Sequence, residues 1–356
     1  MDSFGRKFRV SIFGESHGEA IGVVIDGVQP GLQVSEEDFL EDILRRKSGP
    51  KGTTPRIETD QPEILSGVFE GHTTGAPLTI IFRNRNTRSG DYQLFRNVPR
   101  PGHADYTASI KWMDFNDPRG GGHFSGRLTL PIVAAGVIAK KMCIFDIKAR
   151  LLEVGGVTEA EALAGLAPED KTDVASMTPA MIWKNVISEV MREQDSVGGI
   201  VECVAEGVPA GLGEPFFDSV EALISHAIFS IPGVRGIEFG DGFQAARMKG
   251  SEHNDPFDNV IRDGSELNMH LSVKPTKNGA GGVNGGITNG NPLVFRVAFK
   301  PTSSISKAQD TFDFASGEIT SMSIPGRHDA CFALRTPPVV EAMTAIVMAD
   351  LMKQIL

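Results

Sequence analysis

The sequence predicts one continuous domain of the α+β class, and three observations carry this prediction. Residues 8–13 (FRVSIF) and 20–28 (AIGVVIDGV) are rich in β-branched residues and are joined by a short glycine-containing connection, which is typical of a β-hairpin. Residues 128–141 have apolar side chains at helical spacing. The 356 residues contain no Pro/Ser-rich linker and no internal repeat, so we expect a single domain over residues 1–356.

The remaining elements follow from local signals. Ser35 and Asp38 form a capping-box pattern, which predicts a helix over residues 36–46. Further predicted elements are an exposed helix over 179–195, helices over 220–230 and 339–355, and a strand over 198–208.

Composition excludes several classes of protein. A net charge of -10 argues against broad nucleic-acid binding, which favours a basic surface. The longest apolar stretch, residues 130–139, is too short to span a bilayer, and the first ten residues lack the apolar core of a signal peptide. The three cysteines show no CxxC spacing, so neither a disulfide framework nor a zinc site is expected. We therefore expect a cytoplasmic protein that is not associated with membranes.

Residues 100–127 (RPGHADYTASIKWMDFNDPRGGGHFSGR) combine basic side chains with glycine-rich backbone. Glycine lets main-chain N–H groups approach a ligand closely, and arginine pairs with phosphate or carboxylate through two parallel hydrogen bonds. The segment therefore predicts an anion site, and a solvated basic loop is the alternative. Its basic and histidine residues are Arg100, His103, Lys111, Arg119, His123 and Arg127.

Similar clusters recur along the chain. Residues 279–287 form a second glycine-rich loop, and residues 300–304 (KPTSS) place a cation beside three hydroxyls. Residues 326–331 (GRHDAC) fit either a salt-bridged corner or a catalytic triplet. Residues 48–56, with Lys51 and Arg56, predict a lid that closes over a ligand and excludes water.

Two short motifs match known patterns without the required context. GESHG at 14–18 matches the nucleophile elbow of α/β-hydrolases, but a strand rather than a helix follows it. Ser16 and His17 are then expected at the tip of a hairpin, pointing to opposite faces. GDGFQA at 240–245 resembles a dinucleotide fingerprint, but Glu238 interrupts the preceding strand and the following segment is short for a crossover helix.

A metal site is the remaining alternative for the histidines and aspartates. The sequence has no HExxH motif and no pair of histidines at i and i+4, so no metal is predicted. The residues concerned are His17, His103, His123, His328, Asp105 and Asp329.

Eight separated motifs, in the same order, resemble the chorismate synthase family and cover the chain from end to end. They are FGESHG (13–18), RRKSG (45–49), RPGHADYT (100–107), RGGGHFSGR (119–127), IEFGDGF (237–243), GGVNGGI (281–287), KPTSSI (300–305) and GRHDAC (326–331).

The resemblance implies a β-α-β sandwich, with a helical layer between antiparallel sheets, assembled as a homotetramer. It also implies the 1,4-anti elimination of phosphate from 5-enolpyruvylshikimate 3-phosphate, which gives chorismate in the shikimate pathway of aromatic amino acid biosynthesis. That reaction requires reduced FMN and is redox-neutral overall. The chain shows no extra reductase domain, so we expect an external flavin reductase, with NADPH as an external source of reductant.

Residue roles are carried over from the resemblance motif by motif. The expected catalytic residues are His17 and His103 as acids, Asp329 beside the flavin, and the serines Ser16 and Ser125. The expected cofactor contacts are His123, Phe124, Ser125, Gln244, Ala245, Gly285, Lys300, Pro301, Thr302, Ser303, Ser304 and Arg327. The expected substrate or NADP contacts are Arg45, Arg46, Lys51, Arg119 and Arg127.

Two departures from the family pattern concern these contacts. His123-Phe124-Ser125-Gly126-Arg127 stands where many members have R-S-S-A-R, so a permanent cation and a hydroxyl are replaced. The loop at 48–56 is shorter than usual and carries Lys51 near a common arginine, and a lysine is a point charge rather than a planar fork.

Two other function classes stay open at this point. A phosphate-ligand binding protein would keep the anion contacts without turnover, and it would not need groups that titrate near neutrality. An NAD(P)-linked dehydrogenase would rest on the GDGFQA match and would exchange hydride with a nicotinamide.

Overall fold

The computed structural model describes residues 2–56, 58–86, 90–167, 176–257, 275–324 and 328–355. The strands are β1 Ser3–Phe4, β2 Arg9–Gly14, β3 Ala20–Asp26, β4 Glu63–Ser66, β5 Val68–Phe69, β6 His72–Thr73, β7 Leu78–Arg83, β8 Asp146–Val154, β9 Val157–Thr158, β10 Gly199–Glu206, β11 Val234–Phe239, β12 Val283–Asn284, β13 Ile287–Thr288, β14 Leu293–Phe299, β15 Gln309–Asp313 and β16 Glu318–Met322. The α-helices are α1 Leu40–Arg46, α2 Asp105–Trp112, α3 Thr129–Met142, α4 Glu159–Ala164, α5 Pro179–Ile182, α6 Lys184–Arg192, α7 Val220–Ile228, α8 Gly250–His253 and α9 Pro337–Ile355.

Two antiparallel sheets form the outer layers of this fold. One has the strand order β1-β2-β3-β7-β4, and the other has the order β11-β14-β10-β8-β9. In the first sheet β2 and β3 pair from Arg9 opposite Asp26 to Gly14 opposite Ile21, which confirms the predicted hairpin. Inward positions are apolar in both sheets, as at Val23 of β3 and Phe295 of β14, and both side chains are fully buried.

Helices α3 and α9 pack against each other between the two sheets. Helix α3 contacts β3 and β7, and α9 contacts β8 and β10. Because every residue of α3 from Thr129 to Ala139 is buried, this part of the helix is stable only where protein surrounds it. The two axes approach closely at Gly136, where an added Cβ would lie 2.2 Å from the Cβ of Ala342. The β-α-β sandwich expected from the sequence is therefore confirmed.

Two local predictions were wrong. Residues 179–192 form the two short helices α5 and α6, and their Ile182, Trp183 and Ile187 are buried rather than exposed. The segment around Gly52 covers this face, since a Cβ at Gly52 would lie 2.7 Å from Cγ2 of Ile187. Glu238 does not interrupt its strand.

Glu238 is tolerated within β11 because a cation faces it across the sheet. The Nε of Arg296 in β14 lies 3.1 Å from Oε1 of Glu238. After β11 the chain makes a 3-10 turn, Gly242–Arg247, and the sheet is antiparallel. The GDGFQA motif therefore lies outside a dinucleotide-binding β-α-β unit.

None of the helices described reaches the combination of length and apolar character needed to cross a bilayer.

Candidate active site

A cavity of about 920 Å³ lies where the central layer meets the glycine-rich turn. Its walls come from segments that are far apart in sequence: the N-terminal strands, residues 46–60, residues 100–107, residues 120–132, residues 226–235, residues 300–304 and residues 328–335. This volume is in the range of small-molecule and cofactor sites.

The triple glycine lies against both histidines that the sequence predicts as acids. Gly120 and Gly121 have φ values of 63° and 82°, in the region that favours glycine. A Cβ at Gly120 would lie 2.6 Å from Cδ2 of His17, and one at Gly121 would lie 3.5 Å from Nε2 of His103. Two consecutive glycines therefore bring the backbone against two different imidazole rings.

Ser16 and His17 are buried, so the expectation that they are displayed at a hairpin tip was wrong. A tertiary contact buries them, because the triple glycine at 120–122 folds over the hairpin. The Ser16 N–H donates to the Gly122 carbonyl at 3.1 Å. Burial, with Arg56 and Arg119 nearby, lowers the pKa of His17 to about 4. His17 is therefore neutral at pH 7.

His103 is oriented by a carboxylate. Its Nδ1 lies 2.7 Å from Oδ1 of Asp105, while the Nε of Arg100 donates to Oδ2 of the same carboxylate at 2.7 Å. This arrangement leaves Nε2 of His103 facing Gly121 and the cavity. Burial lowers the pKa of His103, with further lowering by Arg100 and Lys300, and the opposing effect of Asp105 is smaller.

The cavity concentrates positive charge in a chain of net charge -10. Among the described residues, seven cationic side chains and four carboxylates line it. The cations are Arg46, Arg56, Arg100, Arg127, Arg235, Lys300 and Arg335, and the carboxylates are Asp2, Glu58, Asp60 and Asp329. The low-dielectric protein around the cavity strengthens the electrostatic field of these cations. The cavity is therefore suited to a multiply charged anion.

Several polar atoms in the wall are buried without a hydrogen-bond partner in the described structure. They are Nη2 of Arg127, Oγ1 of Thr302, Nε2 of His328 and Nε of Arg335, and all four residues line the cavity. Buried polar groups in native proteins are nearly always paired, so four such atoms in one wall point to a polar ligand that completes them.

Asp329 is held in place from two sides. Its Oδ1 accepts from the Thr54 N–H at 2.9 Å, and its Oδ2 accepts from Nη2 of Arg335 at 2.7 Å. The first contact ties the 48–56 segment to the cavity. The neighbouring His328 has its pKa lowered to about 4, chiefly by burial and then by Arg100.

The structure gathers most of the residues that the sequence predicts as site residues. His103, His123, Phe124, Ser125, Arg46, Arg127, Lys300, Pro301, Thr302, Ser303, Ser304 and Asp329 line the cavity, and Ser16 and His17 lie behind Gly120. His123, at the departure from the family pattern, lies between the Gly14 carbonyl, 2.8 Å from Nδ1, and Asp2, 3.0 Å from Nε2. It thereby ties the N-terminus to the end of β2.

Other predicted residues lie elsewhere. Arg45 pairs with the buried Glu341 at 2.6 Å, Lys51 donates to Ser188 at 2.7 Å, and Arg119 pairs with Asp117 at 2.7 Å. These three side chains bond to partners within the chain. Arg119 also helps to lower the pKa of His17. Gln244 lies in a separate small pocket beside Arg247, with Ala245 on the same turn, and Gly285 is exposed. Arg327 lies outside the described residues.

Sequence reasoning missed several residues of the wall. Arg235, Asp60 and Arg335 carry no motif that marks them, and the sequence named His328 only within GRHDAC and in the metal alternative. The nearest signal was the density of Arg, His and Asp around residue 328, which left a salt-bridged corner equally open.

Comparison with known proteins agrees with this geometry. The family model described as chorismate synthase matches residues 8–353. The chorismate synthase of Chitinophaga pinensis is 56% identical over 354 residues, covering 99% of this chain and 96% of the relative, and that of Korarchaeum cryptofilum is 45% identical over 98% and 96% of the two chains. A crystal structure of chorismate synthase superposes with a TM-score of 0.72 at 28% identity, covering 99% of this chain and 94% of that one. The chain therefore belongs to the chorismate synthase family, a family of lyases.

Proposed function

We propose that this protein eliminates phosphate from 5-enolpyruvylshikimate 3-phosphate in a 1,4-anti sense to give chorismate, with reduced FMN as its cofactor. The observation that carries the proposal is the cationic cavity that His103 and Asp329 line, with His17 directly behind Gly120 of its wall, in a chain of this family. A protein that only bound phosphate would not need two imidazoles at the same turn.

The charge of the cavity suits the proposed substrate. That substrate carries two carboxylates and a phosphate, and the excess of cations in the wall offsets this charge. Arg46 and Arg127 are both buried beside Asp60, so their guanidinium groups are fixed before a ligand arrives. A fixed guanidinium loses less conformational entropy on binding an anion than a free surface side chain does.

The cavity also fits a flavin. Besides the cations, its lining includes apolar residues such as Ile12, Ile132 and Ile346, which would suit the apolar part of a tricyclic ring. The hydroxyl of Thr302 and Nε2 of His328 are unpaired polar atoms that can bond to its heteroatoms or phosphate. Residues 123–125 and 300–304 would hold the group. Reduced FMN, when bound, supplies electron density to a reaction that is redox-neutral overall.

The protein's own groups supply protons and charge. Burial and neighbouring cations lower the pKa values of His17 and His103, which favours the neutral imidazoles. A bound polyanion offsets the effect of those cations on both pKa values, which favours the protonated imidazoles. One histidine would then donate a proton to the departing phosphate, and the other would hold a proton beside the bound cofactor. Asp329, held by Thr54 and Arg335, assists transfer of the ring proton.

A direct assay tests this proposal. Purified protein is mixed with 5-enolpyruvylshikimate 3-phosphate, with and without photoreduced FMN, and chorismate is measured. We expect product only when reduced flavin is present. Turnover without flavin would refute the cofactor, and no turnover with reduced flavin would refute the activity.

We also propose a homotetramer in the cytoplasm that receives reduced flavin from an external reductase. Gln244, Ala245 and Gly285 lie outside the cavity of their own chain, so contact with the cofactor would require a neighbouring subunit. Light scattering gives the subunit number. Reduction of bound FMN by NADPH in the pure protein would contradict the need for an external reductase.

A further inference from the structure

Asn84 lies directly after β7 and between two parts of the active site. Its Nδ2 donates to the Gly18 carbonyl at 2.9 Å and to the Glu15 carbonyl at 3.2 Å, at the two ends of the turn that carries His17. Its Oδ1 accepts from Nε of Arg127 at 3.0 Å. Asn84 does not line the cavity, so it acts on a ligand only through these neighbours.

An amide side chain satisfies both neighbours at this position. The Arg127 guanidinium can only donate, and the two carbonyls of the turn can only accept. The residue between them must therefore present an acceptor on one side and a donor on the other. A carboxylate has no donor for the carbonyls, and an aliphatic side chain has neither group.

Contacts within the chain hold two of the three guanidinium nitrogens of Arg127. Its Nε bonds to Asn84 and its Nη1 bonds to Asp60, while Nη2 is buried without a partner in the described structure. The residue is 7% exposed and lines the cavity. The third nitrogen therefore keeps a hydrogen-bonding capacity that an anion could use, and Asn84 and Asp60 determine its orientation.

We propose that Asn84 is a positioning residue for the elimination, whose amide holds the His17 turn in a fixed relation to Arg127. This inference rests on the proposed function, because it assigns Arg127 to the anionic substrate and His17 to proton transfer. The turn contact sets the approach of the imidazole to the reacting atoms. The Arg127 contact sets the position of the anion.

Substitution of Asn84 separates these two contacts. Asn84→Asp keeps an acceptor for Arg127 but places a carboxylate oxygen against the Gly18 and Glu15 carbonyls. We expect kcat to fall about tenfold or more while KM for the substrate changes less than about threefold, since a misplaced catalytic group costs rate rather than binding. Asn84→Ala loses both contacts without repulsion, so it lowers kcat and also raises KM. A kcat within twofold of wild type in both variants would overturn the proposal.

A double-substitution cycle shows whether Asn84 acts through His17. In a His17→Gln background, we expect Asn84→Asp to change kcat by less than about twofold, because the group that it positions is gone. Full additivity of the two losses would show a merely structural role. Asn185→Asp is the matched control, since Asn185 also donates to a carbonyl, that of Gly165 at 3.0 Å, and does not line the cavity.

A measurement without turnover keeps this inference separate from the proposed function. Nitrogen-15 spectra of the imidazoles, assigned with His17→Gln, report the surroundings of His17 directly. We expect its signals to move in Asn84→Asp or Asn84→Ala and to stay in place in Asn185→Asp, whether or not chorismate forms. Unchanged His17 signals in the Asn84 variants would refute the inference even if the wild-type enzyme is active.

Discussion

Gly120→Ala is the substitution for which the structure gives the sharpest expectation. A Cβ at this position would lie 2.6 Å from Cδ2 of His17 and 2.7 Å from Oγ of Ser16, where ordinary contacts are 3.4–4 Å. The imidazole must therefore move by roughly 1 Å, and a misplacement of about 1 Å costs on the order of 10²-fold in rate. We expect kcat for chorismate formation to fall by that factor.

Gly121→Ala is the matched control for this experiment. Both glycines have positive φ, so an alanine at either position has a similar backbone cost of about 1 kcal/mol. At Gly121, however, the added Cβ would meet His103 at 3.5 Å, which is an ordinary contact. Both variants should therefore lose similar thermal stability, but only Gly120→Ala should lose most of its turnover. Equal kcat values in the two variants would refute the argument that close approach at Gly120 positions His17.

Three further predictions concern the acid, the charge network and the effect of pH. His103→Gln should lower kcat by about 10²-fold or more, the scale of lost general acid catalysis, and near-normal turnover would remove His103 from the mechanism. Glu341→Gln should lower the free energy of unfolding by about 3 kcal/mol in urea titrations, because the buried Glu341 pairs with Arg45 and Lys140, while KM stays unchanged. An unaltered urea midpoint would contradict that role. The pKa of His17 and of His328 is about 4 in the folded chain against 6.5 as the ordinary value, so the unfolded chain binds more protons between these limits. The free energy of unfolding should therefore be highest above pH 6.5 and should decrease as the pH falls toward 4. Urea midpoints that do not change over this range would contradict the burial of these rings.

Local pattern predicted the central elements well. The hairpin of β2 and β3 follows from β-branched residues on either side of a short turn, and α3 follows from its apolar spacing, because these signals depend on neighbours within a few residues. The exposure of α6 was predicted wrongly. The segment that covers Ile187 lies more than a hundred residues earlier, and no local pattern carries that information.

Local motifs likewise predicted only part of the candidate site. The motifs marked His17, His103, Asp329 and residues 300–304 as chemically capable, and glycine density marked where backbone approaches closely. The sequence did not show which carboxylates pair with the arginines. Arg45 and Arg46 are adjacent in sequence, yet the first is paired with Glu341 and the second lines the cavity.

The sequence by itself therefore determined the fold class, the family and the kinds of chemical group that the site uses, because composition, periodicity and ordered motifs are properties of the chain. Only the tertiary structure decided which cations face the ligand, why His17 is neutral at pH 7, and how Asn84 joins the His17 turn to Arg127. Those properties depend on distance, burial and hydrogen-bond partners between residues that are far apart in sequence, and packing alone sets them.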